Sequence, residues 1–263
     1  MLLNGKNAVV VGGGQTSGET IGNGRATAIQ FAREGARVLV ADRDPKSAEE
    51  TADLINAEGG EALAYQADVR HEPDVENMIK AALDAWGAID ILHNNVGVSI
   101  AGHDARIEHM TPDSYNLLVE INLRAMVLTT KHVLPSMREA GAGVIINISS
   151  MAARKAYPLV GYKTTKAAVI ALTEQTAALN ARYGIRANVL LPGLMNTPMA
   201  IESRVSTERS RETIIAERDA QVPLGRKMGT AWDVAHAAAF LASDRAGFIT
   251  GVALPIDGGT SVV

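Results

Sequence analysis

Tyr162 and Lys166 stand four positions apart in the segment Gly161-Tyr162-Lys163-Thr164-Thr165-Lys166-Ala167-Ala168. On a helix that spacing puts a phenol and an ammonium on one face, one turn from each other. Such a pair could move a proton or be an ordinary surface pair, and the spacing alone does not choose. A second chemical signal lies near the N-terminus, in Val9-Val10-Val11-Gly12-Gly13-Gly14 and then Gly22-Asn23-Gly24-Arg25. A glycine-rich turn that enters a helix lets backbone N–H groups approach a phosphate, where the helix dipole also favours negative charge. A third is Asp42, which ends the apolar run Arg37 to Ala41, 18 residues after Gly24. An acid there can accept both ribose hydroxyls of an adenosine, and its charge repels a 2′-phosphate, so the turn and the acid together predict a dinucleotide site for NAD. Arg43 beside it could pair with a 2′-phosphate or stack on the adenine.

The elements that must position these groups alternate along the chain. Val9 to Val11 reads as the end of a buried strand, Arg25 to Glu34 as a helix, Arg37 to Ala41 as a strand and Pro45 to Glu58 as a helix stopped by Gly59-Gly60. Glu61 to Ala67, Pro73 to Trp86 and Ile89 to Asn94 continue as strand, helix and strand. The order predicts an α/β, single-domain Rossmann-type doubly wound parallel sheet over residues 1–263, with helices on both faces and ligands at the strands' C-terminal ends. Those ends carry Asp42, Asp68-Val69 and Asn94-Asn95-Val96-Gly97, which are either turn caps or ligands of the adenosine.

Thr111-Pro112-Asp113 opens a helix expected to break or end near Pro135. It carries Asn122 within an apolar stretch, where a buried amide serves as structural glue or as part of a polar network. Val144 to Ile148 is a strand that delivers Ser149 and Ser150, and the helix after it runs to about Tyr183. The strand Ile185 to Leu191, the helix Ala231 to Ala242 and the strand Val252 to Ile256 complete the pattern.

Composition excludes several classes of function. The net charge of −4 offers no basic face for nucleic acid, and no apolar run reaches the length of a membrane span. The chain has no cysteine, which rules out a disulfide framework and a thiolate nucleophile and fits a reducing, cytoplasmic setting. His103 and His109 have no acid or histidine at zinc-like spacing, so no metal site is expected. The expected partner is a small molecule.

Taken in order, the glycine turn, Asp42, Asp68-Val69, Asn94-Asn95-Val96-Gly97, Asn122, Ser149-Ser150, Tyr162-x-x-x-Lys166, Pro192-Gly193 with Thr197, and Asp257-Gly258-Gly259 resemble the short-chain dehydrogenases/reductases over nearly the whole chain. The resemblance implies a catalytic tetrad of Asn122, Ser150, Tyr162 and Lys166, and interconversion of a secondary alcohol and its ketone by hydride transfer. Tyr162 would be the general acid/base. Lys166 would also hold the nicotinamide ribose, Ser150 the substrate oxygen, and Asn122 a water on the proton path. The cofactor set it implies is Gly13, Gly22, Asn23, Gly24, Asp42, Arg43, Asp68, Val69, Asn95, Gly97, Tyr162, Lys166, Pro192, Met195 and Thr197. It further implies a homo-oligomer, a tetramer, and a substrate loop around 198–226, with specificity set there and at Ser99, His103, Tyr157 and Met199. Alternatives are a dihydrodiol dehydrogenase, an NADPH-dependent ketoacyl-type reductase and, outside enzymes, a nucleotide-sensing binding module.

The required chemistry is within electrostatic reach. Bringing a tyrosine from its ordinary pKa of about 10 to about 7 requires about 4 kcal/mol. A cation at about 4 Å supplies roughly that at an effective dielectric of about 20.

Two departures from the family pattern remain. Ser149 stands 13 positions before Tyr162, the family's usual count, and Ser150 stands 12. The strand end favours Ser150, because strands hold register better than loops. Gly13 to Gly22 is nine steps, about five more than the pattern T-G-x-x-x-G-x-G allows. The excess falls within Gly14 to Ile21, either as a tolerated surface insertion or as a flap in which Gln15, Thr16, Ser17 and Thr20 bond the diphosphate.

Overall fold

The computed structural model describes residues 1–263. The first half runs β1 (Asn7–Val11), α1 (Asn23–Arg33), β2 (Arg37–Asp42), α2 (Pro45–Ala57), β3 (Glu61–Gln66), α3 (Glu72–Trp86) and β4 (Ile91–Asn94). The second runs α4 (Pro112–Val119), α5 (Ala125–Ala140), β5 (Gly143–Ile148), α6 (Val160–Asn180), β6 (Ile185–Pro192), α7 (Pro198–Ile201), α8 (Arg211–Asp219), α9 (Ala231–Ala242) and β7 (Ala253–Ile256). All seven strands are parallel, in the order β3-β2-β1-β4-β5-β6-β7.

β1 is buried at every residue, as a strand covered on both faces must be. Its side chains alternate between two cores. Val10 joins Phe31, Val38 and Leu241 on one face, and Val9 and Val11 join Leu39, Met78 and Val133 on the other. β2 lies on one side of β1 and β4 on the other, so the winding reverses there and opens a crevice at the C-terminal ends of those strands.

Two local expectations are corrected. Pro135 does not end its helix: α5 continues to Ala140 and stops at Gly141, in the left-handed region at φ 66°. Proline removes only its own N–H bond to the carbonyl four residues back, and both Pro135 and Lys131 are solvent-exposed, so water can take that carbonyl. Between α4 and α5 the helix widens into a π turn over Glu120–Arg124, which sequence periodicity does not signal. Asn122 sits in it, and such turns recur at functional sites. The small-residue run of α9 is core, with Ala238, Ala239, Leu241 and Ala242 buried and Phe240 turned outward.

Candidate active site

The crevice is a cavity of about 440 Å³ lined from the C-terminal ends of six strands, β1 to β6. The turn after β1 brings Gly12, Gly14, Gly22, Asn23 and Gly24 to it. Gly24 is the tightest point: a Cβ there would fall 1.8 Å from the Gly12 carbonyl oxygen, so only glycine lets α1 start against the turn. The Asn95 amide ties β4 to the same turn by donating to the Gly12 carbonyl at 2.9 Å. Asp42, at the end of β2, accepts from the backbone N–H groups of Gly14 and Asp44, each at 3.1 Å. A carboxylate has about four acceptor sites, so about two remain for a ribose. Asp68 also lines the cavity, but its carboxylate is gripped by Arg70, with Nε at 3.0 Å from both oxygens. That side-chain bond holds Asp68 down to about 2 despite partial burial.

The other half of the cavity carries Ser150, Tyr162 and Lys166. Lys166 is 2 % exposed, and its ammonium donates to the Ile148 carbonyl at 2.9 Å. It lies 5.7 Å from the centre of the Tyr162 ring, as i, i+4 placement on α6 predicts. Burial pushes the phenol up to about 12, and the neighbouring Ser150 hydroxyl pulls in the opposite direction. Burial likewise pushes the Lys166 ammonium down to about 8. Without a cofactor's charge, Tyr162 is therefore held as a neutral phenol.

The two serines separate cleanly. The Ser149 hydroxyl donates to the Lys166 carbonyl at 2.6 Å and is 1 % exposed, so it fastens β5 to α6. Ser150 is the one beside the phenol. Asn122 is wholly buried and clamps the turn after β4: its Oδ1 accepts from the Val98 N–H at 2.7 Å, and its amide donates to the Val98 carbonyl at 2.9 Å. Its side chain is thus glue within a polar network that also takes in Thr165.

Sequence reasoning missed Asp104. Its two oxygens accept from the N–H groups of Gly161 and Tyr162, both at 2.9 Å. These are orphan donors of the first turn of α6, and a carboxylate there is favoured by the helix dipole. Asp104 therefore fixes the backbone that carries Tyr162. The usual signal, a cap just before the helix, is absent because Leu159 stands at that position.

A family described as Enoyl-(Acyl carrier protein) reductase matches residues 19–261. The 2,5-dichloro-2,5-cyclohexadiene-1,4-diol dehydrogenase LinX of Sphingobium indicum is 37% identical over 263 residues, covering 99% of this chain and 98% of its own. A Burkholderia xenovorans protein assigned to the short-chain dehydrogenases/reductases superposes with a TM-score of 0.93 at 36% identity, over 99% of this chain and 98% of that one. The chain belongs to the short-chain dehydrogenases/reductases. It is an oxidoreductase acting on CH–OH donors. A further neighbour, 7α-hydroxysteroid dehydrogenase in complex with NADH, matches with a TM-score of 0.87 at 31% identity, covering 98% of this chain and 94% of that one.

The cavity of this short-chain dehydrogenase/reductase fits a nicotinamide dinucleotide on its own geometry. Space is open beside Gly22, and the Thr20 hydroxyl and the Asn23 side-chain oxygen are buried near it without protein partners. Of the two, Asn23 lines the cavity, where a ribose hydroxyl would supply its oxygen with a donor. Of the residues expected to hold the cofactor, Gly22, Asn23, Gly24, Asp42, Arg43, Asp68, Val69, Asn95, Gly97, Tyr162, Lys166, Pro192 and Thr197 line the cavity. Two do not. Gly13 is turned into the sheet, where a Cβ would meet Val40 at 2.9 Å, and its neighbours Gly12 and Gly14 take the wall. Met195 is 4% exposed and packs its sulfur on Gly229.

The lengthened turn does not spend Gln15 on the cavity alone. The Gln15 side chain closes the loop on itself, accepting from Gly22 N–H at 3.0 Å and donating to the Thr20 carbonyl at 3.2 Å. Its backbone N–H donates to Ser47 at 2.6 Å, next to the Asp42 end.

Proposed function

We propose that the chain is an NAD-dependent dehydrogenase that interconverts a secondary alcohol and its ketone, with Tyr162 as general acid/base. The observation that carries this reading is a half-buried phenol in the cavity, with Ser150 beside it and the buried Lys166 ammonium one helical turn away. Bound nicotinamide would accept or give the hydride, and in its oxidised form would add positive charge. In the oxidative direction Tyr162 takes the proton of the alcohol oxygen, and in the reductive direction it returns that proton. Ser150 holds the same oxygen by a hydrogen bond. Lys166 stabilises the phenolate and anchors the nicotinamide ribose. Because the Asn122 side chain is committed to Val98, its part in ordering a proton-path water falls to its main chain.

The preference for NAD rests on Asp42, whose remaining acceptor sites suit ribose hydroxyls and whose charge opposes a 2′-phosphate. NAD(H) is expected to bind at least about tenfold more tightly than NADP(H), about 1.4 kcal/mol. In Asp42→Ser the gap should close. Fluorescence titration with both reduced cofactors checks this, and tighter NADPH binding by the wild type would overturn the assignment.

The two serines give a second test. Ser150→Ala removes a donor to the reacting oxygen and should lower kcat by about 10²-fold. Ser149→Ala removes only a buried structural bond, with a cost of about 1 kcal/mol in stability and little in turnover. Parallel kinetics and thermal melts of the two variants distinguish the roles, and full activity of Ser150→Ala would reverse them. LinX, by its name, acts on a cyclic diol, which favours a cyclic diol as a second reading of the substrate. We also propose a homotetramer, supported by the outward Phe240 and the fully exposed Phe248 near the C-terminal edge.

A further inference from the structure

The extra residues between Gly14 and Ile21 touch more than the cavity. Their tip meets the segment on the substrate side. Gly18 lies so close to that segment that a Cβ would fall 2.8 Å from Pro198 Cβ and 3.0 Å from Glu202 Cγ. Next to it, the Glu19 carboxylate forms an ion pair with Arg211, its oxygen 3.3 Å from Nε. Arg211 also pairs with Glu202 through a second guanidinium nitrogen. The Arg211 side chain is 14% exposed, Glu202 29% and Glu19 79%, so the cation is enclosed while one of its acids stands in solvent.

Arg211 occupies an unfavourable place for a cation. It is the first residue of α8, capped by Ser210, and the helix dipole there favours negative charge. Holding a guanidinium at that end requires the carboxylates it reaches. Glu202 follows α7 and Glu19 belongs to the lengthened turn, so one side chain joins α7, α8 and the cofactor loop. The same loop lines the cavity with Gln15, Thr16 and Ser17, and the same segment lines it with Pro198 and Met199. The two walls therefore face one cavity and are fastened together at its rim.

We propose that Arg211 is a positioning residue that latches the substrate-side segment 198–219 to the lengthened cofactor loop through Glu19, so that a filled cofactor loop steadies the substrate wall. This rests on the reading of the cavity as a nicotinamide site. The insertion is then neither a passive bulge nor only a diphosphate flap. It is the half of the latch that feels the cofactor. Glu202 keeps part of the contact within the segment itself, so loss of Glu19 frees the segment from the loop without removing every partner of Arg211.

The test is hydrogen–deuterium exchange over residues 198–219 in wild type, Glu19→Gln, Arg211→Gln and Arg211→Lys, each with and without saturating NAD⁺. Because Glu19 is largely exposed, its substitution should leave the fold intact. Without cofactor, exchange in the segment should rise about two- to fivefold in Glu19→Gln and at least as much in Arg211→Gln, the range expected of an exposed ion pair. Arg211→Lys should recover part of the protection, and high salt should erode it in the wild type. NAD⁺ should slow exchange in the wild-type segment and do so less in Glu19→Gln, although that variant still binds the cofactor. Equal exchange in wild type and Glu19→Gln would overturn the latch, and so would equal NAD⁺ protection in both. If the wild type bound neither NAD⁺ nor NADP⁺, the reading of the cavity would fall. The cofactor-free comparison would then still decide whether the latch exists.

Discussion

Tyr162→Phe is expected to lower kcat for alcohol oxidation by about 10²–10⁴-fold, the usual contribution of a positioned acid or base, while leaving cofactor affinity essentially unchanged. The substitution removes one oxygen and keeps the ring, which packs 5.8 Å from the Tyr157 ring and sits before the Lys166 ammonium. The backbone of position 162 stays fixed by Asp104, since those bonds use main-chain N–H groups. A loss of turnover with intact binding is therefore a loss of proton transfer and not of folding. Steady-state kinetics beside a cofactor titration separate the two, and unchanged turnover would remove Tyr162 from the mechanism.

Lys166→Met is the second large effect. Methionine has a similar length and tolerates the same buried channel, so packing survives while the charge goes. Burial already pushes the phenol up to about 12 against the Ser150 bond and the charge of Arg204, and the Lys166 ammonium, 5.7 Å from the ring centre, is the cation expected to add to them. The sign follows directly. Oxidation needs the phenolate, so its rate rises with pH as Tyr162 loses its proton, whereas reduction needs the phenol and falls over the same range. Removing Lys166 should move that limb to higher pH and lower kcat at neutral pH by at least about 10²-fold. A pH profile of kcat in both directions, for wild type and variant, checks it. An unshifted limb would show that Lys166 does not act on the phenol. Because burial brings Lys166 itself down to about 8, the wild-type oxidation rate should also stop rising once that ammonium is neutral.

Much of the fold was legible because its signals are local. The unbroken apolar strands, the glycine stops and the acid at the end of β2 are written in adjacent residues, and α9 matches its expected span of Ala231–Ala242. The candidate site was legible as a set of residue types, since Ser150, Tyr162 and Lys166 all reach one cavity. What was not legible depends on pairs far apart in the chain. Asp104 caps a helix that begins 56 residues later, at Val160, and nothing near Leu159 announces it. Glu19 finds Arg211 only because the sheet brings the first turn and the segment after β6 to the same rim. The choice of Gly12 and Gly14 over Gly13 is a matter of which way each faces at the strand end, and a count of glycines carries no direction. The π turn at Asn122 is likewise hidden, because a single wide turn over Glu120–Arg124 is too short to set a periodicity of its own.

The central claim is that this cavity transfers a hydride between a secondary alcohol and nicotinamide under proton control by Tyr162. The most direct measurement is label transfer: purified protein is incubated with NAD⁺ and a panel of linear and cyclic secondary alcohols deuterated at the carbinol carbon, and the recovered cofactor is read by mass spectrometry. The prediction is deuterium on the nicotinamide ring in the wild type with at least one alcohol and almost none with Tyr162→Phe. Tight binding of NAD⁺ with no label transferred from any alcohol would contradict it and would make the chain a nucleotide-sensing module.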